Sequence, residues 1–441
     1  MSWGAQRQPR KLGLMIAAPS SGSGKTLVTL ALLRALKNKG YDIGAAKAGP
    51  DYIDPAFHEL ACGSPSINLD PWAMKPERLQ QLVLSGDNPA LLVEAMMGLY
   101  DGAADGTGSA ADLAETLNLP VLLVINAAKQ SQSIAALVRG FRDHREKINL
   151  AGVILNQVGS SRHEAMLRNA LGEIGVAVLG AIPRSESLVL PERHLGLVQA
   201  GEIADIDAFI ERAAELVGNS CDLDAIYHLF GAMDLTIHGT TSSQVILPLG
   251  QRIAIAKDQA FSFIYPHLIQ DWKRSGAELS FFSPLANEAP REDADAVYLP
   301  GGYPELHGDV LALATGFQSG MEKAATTGKR IYGECGGYMV LGEGMIDREG
   351  KRHKMLGLLG LETSFEKRKL HLGYRAAKAL TGPVQDMQFA SHEFHYTTVL
   401  KETGQSLFSV VDALGENKRD TGLCNGSVFG SYMHLIDRRV T

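Results

Sequence analysis

The stretch Ala17-Ala18-Pro19-Ser20-Ser21-Gly22-Ser23-Gly24-Lys25-Thr26 constrains this chain more than any other. It follows an apolar run, Leu12 to Ile16, and opens a helical pattern from Leu27 to Leu36. Strand, glycine turn and helix in that order bring backbone N–H groups to a helix N-terminus, where they close on phosphate oxygens. Ser21, Gly22, Ser23 and Gly24 would cradle the phosphates of ATP, and Lys25 would reach the β- and γ-phosphates. The Thr26 hydroxyl would sit on Mg²⁺. The usual pattern begins with Gly five residues before Gly24, where this chain has Pro19. An ordinary glycine-rich β–α turn is the alternative; the reading adopted is a nucleotide site.

From this loop to about residue 235, apolar strands alternate with amphipathic helices. Ile43–Ala46, Ala90–Ala95, Pro120–Asn126, Ala151–Asn156 and Val176–Ile182 read as strands, and the segments near 27–39, 108–118, 131–146, 162–174 and 203–217 as helices. Strands that are nearly all apolar, joined by crossover helices, predict an α/β fold with a parallel sheet covered on both faces. Ligands on such sheets lie beyond the carboxyl ends of the strands. At 441 residues the chain exceeds one core. The small, polar run His238–Gln244 reads as a linker, and a new β pattern starts at Arg252–Ala256, with further apolar runs at Phe261–Tyr265, Glu278–Phe282 and Ala296–Leu299. The expected division is a P-loop domain over 1–237, a linker over 238–250 and a second α/β domain over 251–441.

Composition narrows the class. A formal charge of −7 argues against general nucleic-acid binding, so anionic substrates must be met by local cations and N–H groups. The longest apolar segments, such as Leu119 to Ile125, are too short to span a bilayer, and Met1–Lys11 is polar and basic with no apolar signal core after it. A cytoplasmic protein without membrane partners is expected. Cys62, Cys221, Cys335 and Cys424 are too scattered for a disulfide framework or a metal cluster.

Two loops beyond strand ends carry acids. Lys47-Ala48-Gly49-Pro50-Asp51-Tyr52-Ile53-Asp54-Pro55 is fixed by two prolines and presents Asp51 and Asp54 beside Lys47. Those carboxylates would hold Mg²⁺ next to the triphosphate, with Lys47 balancing phosphate or a substrate carboxylate; a proline-bounded surface turn is the equal alternative. Glu94 ends an apolar strand, where an acid is expensive unless paired or on a metal. With a P-loop in the same sheet, it is the expected second Mg²⁺ contact. Asp101 lies in a glycine-rich turn as a weaker phosphate or substrate candidate, or as a turn cap. Met96 and Met97 read as packing.

In the second half, Pro300-Gly301-Gly302-Tyr303-Pro304-Glu305 follows a strand as a glycine turn. Ile331-Tyr332-Gly333-Glu334-Cys335-Gly336-Gly337-Tyr338-Met339 sets a cysteine among glycines between a strand and a helical pattern. This is the thiol form of a nucleophile elbow, where glycine permits the sharp turn. A helix dipole and a neighbouring histidine would favour the thiolate. A lone cysteine is more often a small buried residue; the glycine frame reverses that preference. His392, His395 and His434 lie on strand-like stretches. The basic run Glu366-Lys367-Arg368-Lys369 reads as a solvated face.

The motifs PSSGSGKT, KAGPDYIDP and VEAMMGLYDG resemble those of the cobyrinate a,c-diamide synthases, glutamine-dependent ligases related in their first half to dethiobiotin synthetase. LPGGYPE and YGECGGYMVLG, with the C-terminal histidines, resemble the class I glutamine amidotransferase domain of the cobyrinate and cobyrate synthase type. The likeness covers about residues 12 to 437. It implies that Cys335 is the nucleophile and His434 its base, with N–H groups around Gly302 and Gly336 as oxyanion hole and glutamine contact. Two departures stand out: Ala95 replaces the family's usual Gly, and Ile436 stands where many class I amidotransferases carry Glu, a residue the cobyrinate group itself commonly lacks. Asp437 is a candidate orienter of His434. The resemblance further implies ATP, glutamine and cobyrinic acid as substrates, Mg²⁺ as cofactor, acyl phosphates at the a and c carboxylates and an internal ammonia path. Hydrogenobyrinic acid and Ni-sirohydrochlorin are the alternative acceptors, and a homodimer is compatible with all of them. A nucleotide-dependent switch or scaffold would use the P-loop but leave GECGG unexplained.

Overall fold

A computed structural model describes residues 11–185, 188, 192–193, 196–203, 205–235 and 245–439. The amino-terminal segment 1–10 and the linker run 238–244 lie outside these residues. The chain divides into two compact units, residues 1–102 with 106–240, and residues 241–441 with 103–105.

The first unit is a parallel sheet. Its elements begin with β1 (Leu12–Ala17), α1 (Lys25–Asn38), β2 (Ile43–Ala48), α2 (Asp54–Cys62), β3 (Ile67–Leu69) and α3 (Pro76–Ser85). They continue with β4 (Ala90–Glu94), β5 (Val121–Asn126), β6 (Leu150–Val158) and β7 (Val178–Pro183). The strand order is β3-β2-β4-β1-β5-β6-β7, with the short strand Gly231–Ala232 antiparallel to β1. Leu14, Met15, Ile16 and Val121 to Val124 are fully buried, as strands covered on both faces must be. Beyond β1, β2 and β4, side by side at the centre, lie the P-loop and the two acidic loops.

Predicted helices reappear at Ala110–Leu117, Ile134–Asp143, Ser161–Gly172 and Ile206–Ser220. The first starts on a capping box in which Ser109 and Asp112 satisfy each other's backbone N–H. Sequence periodicity did not show α2, β3 or α3, whose apolar positions are few or short. No described helix is long and apolar enough to cross a membrane.

The second unit centres on a mixed ten-stranded sheet. Its parallel half runs Glu278–Phe282, Arg252–Ala256, Ala296–Leu299, Arg330–Glu334, Val428–Ser431. Antiparallel pairing then continues through Arg419–Asn425, Gln405–Asp412, His371–Ala379, Gln388–His395 and Met433–Arg438. Phe261–Tyr265, read as part of the β pattern, forms no strand. Its N–H groups go to Asp258 O from Phe261 (3.1 Å) and Gly301 O from Phe263 (2.9 Å), and Pro266 then starts a helix. Residues 366–369 are exposed, as the charge run predicts.

Candidate functional site

In the first unit, the turn after β1 reaches α1 through Gly24 at φ 85°, a left-handed conformation that suits glycine. A side chain there would also strike the amide of Asn156, which donates to Ser23 O at 3.0 Å and so ties the loop to the end of β6. Ser23 Oγ donates to Ser20 O at 2.9 Å. The loop is therefore held in shape by its own polar groups.

Glu94 is the hub beneath it. The Thr26 hydroxyl donates to Glu94 Oε1 at 2.7 Å, and Lys47 Nζ lies 3.0 Å from the same oxygen. Lys47 also pairs with Asp54. His58 Nε2 lies 2.7 Å from Glu94 Oε2, and its Nδ1 is 3.2 Å from Ser66 Oγ. Burial opposes the Glu94 charge, but Lys47 and His58 outweigh it and hold the carboxyl below the usual range. Burial likewise opposes charge on Lys47, and Asp54 and Glu94 keep it protonated all the more firmly. Asp54 is pushed up to about 6 by burial and by Asp51. Lys25, buried and then repelled by Lys47, is lowered; an anionic phosphate would restore its charge.

The structure thus joins Thr26, Lys47, Asp54 and Glu94 directly. Asp51 lies at the same turn, where its Oδ1 accepts the N–H of Ile53 (2.8 Å) and of Asp54 (3.0 Å) ahead of α2. Asp101 Oδ2 accepts from Gly98 N at 2.9 Å, the turn-cap alternative. A hydroxyl and clustered carboxylates at the end of a P-loop are hard oxygen donors that fit Mg²⁺.

In the second unit, Cys335 leaves the strand Arg330–Glu334 at φ 47°, ψ −104° and heads the helix Gly336–Leu341. Its N–H donates to Ser431 O at 2.8 Å. A β-carbon on Gly336 would lie 3.0 Å from Gly302 N, so the two backbones proposed for the oxyanion hole lie against each other. A β-carbon on Gly301 would lie 2.5 Å from His434 Cε1, 3.3 Å from its Nε2 and 3.3 Å from Cys335 Cβ. The Cys335 β-carbon and the imidazole therefore flank one bare backbone position, and the thiol lies 3.9 Å from Phe394 O.

The thiol is 3% exposed, and burial, reinforced by Glu305, pushes its pKa up. The expected thiolate is opposed here by desolvation, and the helix that Cys335 heads is only six residues long. Burial, with His392 and His395 nearby, lowers the pKa of His434. Its Nδ1 lies 3.8 Å from Glu334 Oε2. Glu393, close by in sequence to His392 and His395, is held down at about 2 despite burial by His395 and Arg419. Arg375 and Arg419 approach it to 2.9 and 2.5 Å. Two guanidiniums leave the group His371, Glu393, His395 little negative charge for a cation, although its ligand atoms lie within 4.8 Å of one another.

Comparison with known proteins agrees with this pairing of sites. Residues 14–198 match the CobQ/CobB/MinD/ParA nucleotide binding domain, and residues 252–439 match the CobB/CobQ-like glutamine amidotransferase domain. A hydrogenobyrinate a,c-diamide synthase of Sinorhizobium sp is 57% identical over 96% of this chain and 98% of its own length. Its namesakes in Rhizobium meliloti (strain 1021) and Rhodobacter capsulatus are 55% and 49% identical, each over 96% of this chain, and over 99% and 98% of their own lengths. The chain belongs to the hydrogenobyrinate a,c-diamide synthase family. It is an enzyme, a glutamine-dependent amide ligase with a P-loop nucleotide-binding domain and an amidotransferase domain in one polypeptide.

The sequence did not point to His58, Ser66 or Asn156: His58 and Asn156 find partners 36 and 133 positions away, and Ser66 joins the site only through His58. Glu334 carried a signal that went unused. Like Glu94, it is an acid closing an apolar strand, which needs a partner wherever it is buried.

Proposed function

We propose that this chain converts the a and c carboxylates of hydrogenobyrinic acid to amides, using glutamine as nitrogen donor and ATP to activate the acceptor. The supporting observation is that near-full-length relatives at 49–57% identity bear the name of that reaction. Cobyrinic acid, the acceptor first suggested by the motifs, differs from hydrogenobyrinic acid by its cobalt, and the relatives' names favour the metal-free acid.

A carboxylate does not condense with ammonia at neutral pH, because oxide is a poor leaving group. Phosphorylation to an acyl phosphate supplies a good one. Ser21 to Gly24 would cradle the phosphates, Lys25 would meet the β- and γ-phosphates, and Lys47, Asp54 and Asp101 would face phosphate or acceptor. Thr26, Asp51 and Glu94 would hold Mg²⁺, which neutralises phosphate charge when bound. In the second unit, Cys335 would attack the glutamine amide while passing its proton to His434, with the N–H groups around Gly302 and Gly336 on the oxyanion. Ammonia leaves, and water hydrolyses the glutamyl thioester. We read residues 1–237 as the synthetase domain and 251–441 as the amidotransferase.

The test is mass spectrometry of products from glutamine and MgATP with hydrogenobyrinic acid, cobyrinic acid and Ni-sirohydrochlorin in parallel. Two carboxyls converted on hydrogenobyrinic acid, with little turnover of the others, is expected. Preferential diamide formation on either rival would overturn the acceptor assignment.

A further inference from the structure

Glu334 and Cys335 are consecutive, and both lie in the neighbourhood of the His434 imidazole. Nδ1 of His434 lies 3.8 Å from Glu334 Oε2, while the Cε1–Nε2 edge lies against Gly301, whose other neighbour is the Cys335 β-carbon. The carboxyl is itself fixed. Tyr298 OH donates to Oε2 at 2.8 Å, and the N–H of Leu435, next to His434, donates to Oε1 at 3.3 Å. Below it opens an apolar cavity of about 270 Å³ walled by Trp272, Tyr298, Tyr332 and Phe429. A carboxyl in such surroundings is costly unless its charge is used, and Ile436 leaves no acid two residues beyond the histidine.

We propose that Glu334 is the positioning residue for His434: it holds the ring with Nδ1 inward and supplies the counter-charge when Nε2 takes the proton of Cys335. In that step the Cys335 S–H bond breaks and its proton forms an N–H bond at Nε2. The sulfur pair forms the C–S bond to the amide carbon, and the carbonyl π pair moves to oxygen. The imidazolium then returns the proton to the amide nitrogen as the C–N bond breaks and ammonia leaves. The positive ring exists only between those two transfers, and Glu334 faces it there at 3.8 Å. Burial pushes the Glu334 carboxyl up to about 7 despite the hydrogen bonds from Tyr298 and Leu435, so the charged form is available near neutrality.

The proposal rests on Cys335 and His434 acting as described above, and the experiment separates the two ideas. Glutaminase kinetics are measured on the full-length Glu334→Gln and Glu334→Asp variants beside Cys335→Ala, with ammonium-dependent amidation as a readout of the other unit. Glu334→Gln is expected to lower glutaminase kcat about 10- to 100-fold with KM held within about twofold, and Glu334→Asp to recover part of the loss. Ammonium-dependent amidation should be unchanged in both. An inert Cys335→Ala with a fully active Glu334→Gln overturns the role of Glu334 alone, whereas an active Cys335→Ala overturns the underlying reading. If Glu334→Gln loses both activities together, Tyr298→Phe decides. It removes the hydrogen bond that fixes Oε2 while keeping the carboxyl. A fall in glutaminase kcat at constant KM supports the proposal, and an unchanged kcat ends it.

Discussion

Lys25→Ala is expected to abolish amide synthesis from glutamine and from ammonium salts alike while leaving glutamine hydrolysis in place. Lys25 is buried at the first residue of α1, where burial and the charge of Lys47 already disfavour its ammonium. A cation held under that strain gains most when a phosphate arrives, which is the property required of a group that must favour developing negative charge over water. Loss of one preorganised charge contact to a transferring group costs roughly 10²–10³-fold in rate. The comparison to make is product formation by mass spectrometry with each nitrogen source, alongside ammonia release from glutamine. Synthesis near the wild-type rate would remove Lys25 from the phosphate site. Loss of glutaminase as well would show that the substitution disturbs more than one unit.

Cys335→Ala is expected to give the reciprocal pattern. Glutamine-dependent synthesis should disappear, because no other thiol stands beside His434 in the elbow, while synthesis from ammonium salt should persist. The alanine methyl fits where the cysteine β-carbon lies, so the turn and the helix behind it are preserved. Ammonia supplied from solution is mostly ammonium near neutrality, and the surviving activity should therefore rise with pH as free ammonia increases. Simultaneous loss of both activities would contradict the division of labour between the two units.

The parts of this protein legible in the sequence are those governed by short-range rules. Runs such as Leu12–Ile16 and Pro120–Asn126 announce buried parallel strands because covered strands need no polar alternation. The P-loop and the cysteine elbow are legible because sharp turns demand glycine at fixed offsets. Between Asp54 and Ser85 the signal fails: β3 spans three residues, and α2 gains its order from Asp51 and from the burial of Phe57 and His58. Phe261–Tyr265 misled in the opposite sense, being apolar because it packs beside the glycine turn at 301 rather than because it joins a sheet. The couplings of His58 to Glu94 and of Glu334 to His434 were invisible, since sequence separations of 36 and 100 positions divide partners that only the fold brings together. The burial of Cys335, which opposes the thiolate, was hidden for the same tertiary reason, since its glycines suggested only a turn.

The backbone of Cys335 carries a last consequence. At φ 47°, ψ −104° it occupies a region that costs a non-glycine residue about 1–3 kcal/mol. Glycine would relieve much of that cost, so position 335 is a place where folding and turnover want different residues. Directed evolution of this chain for heat resistance alone would reward the loss of the proposed nucleophile, and a selection scheme that omits glutamine-fed growth would never notice.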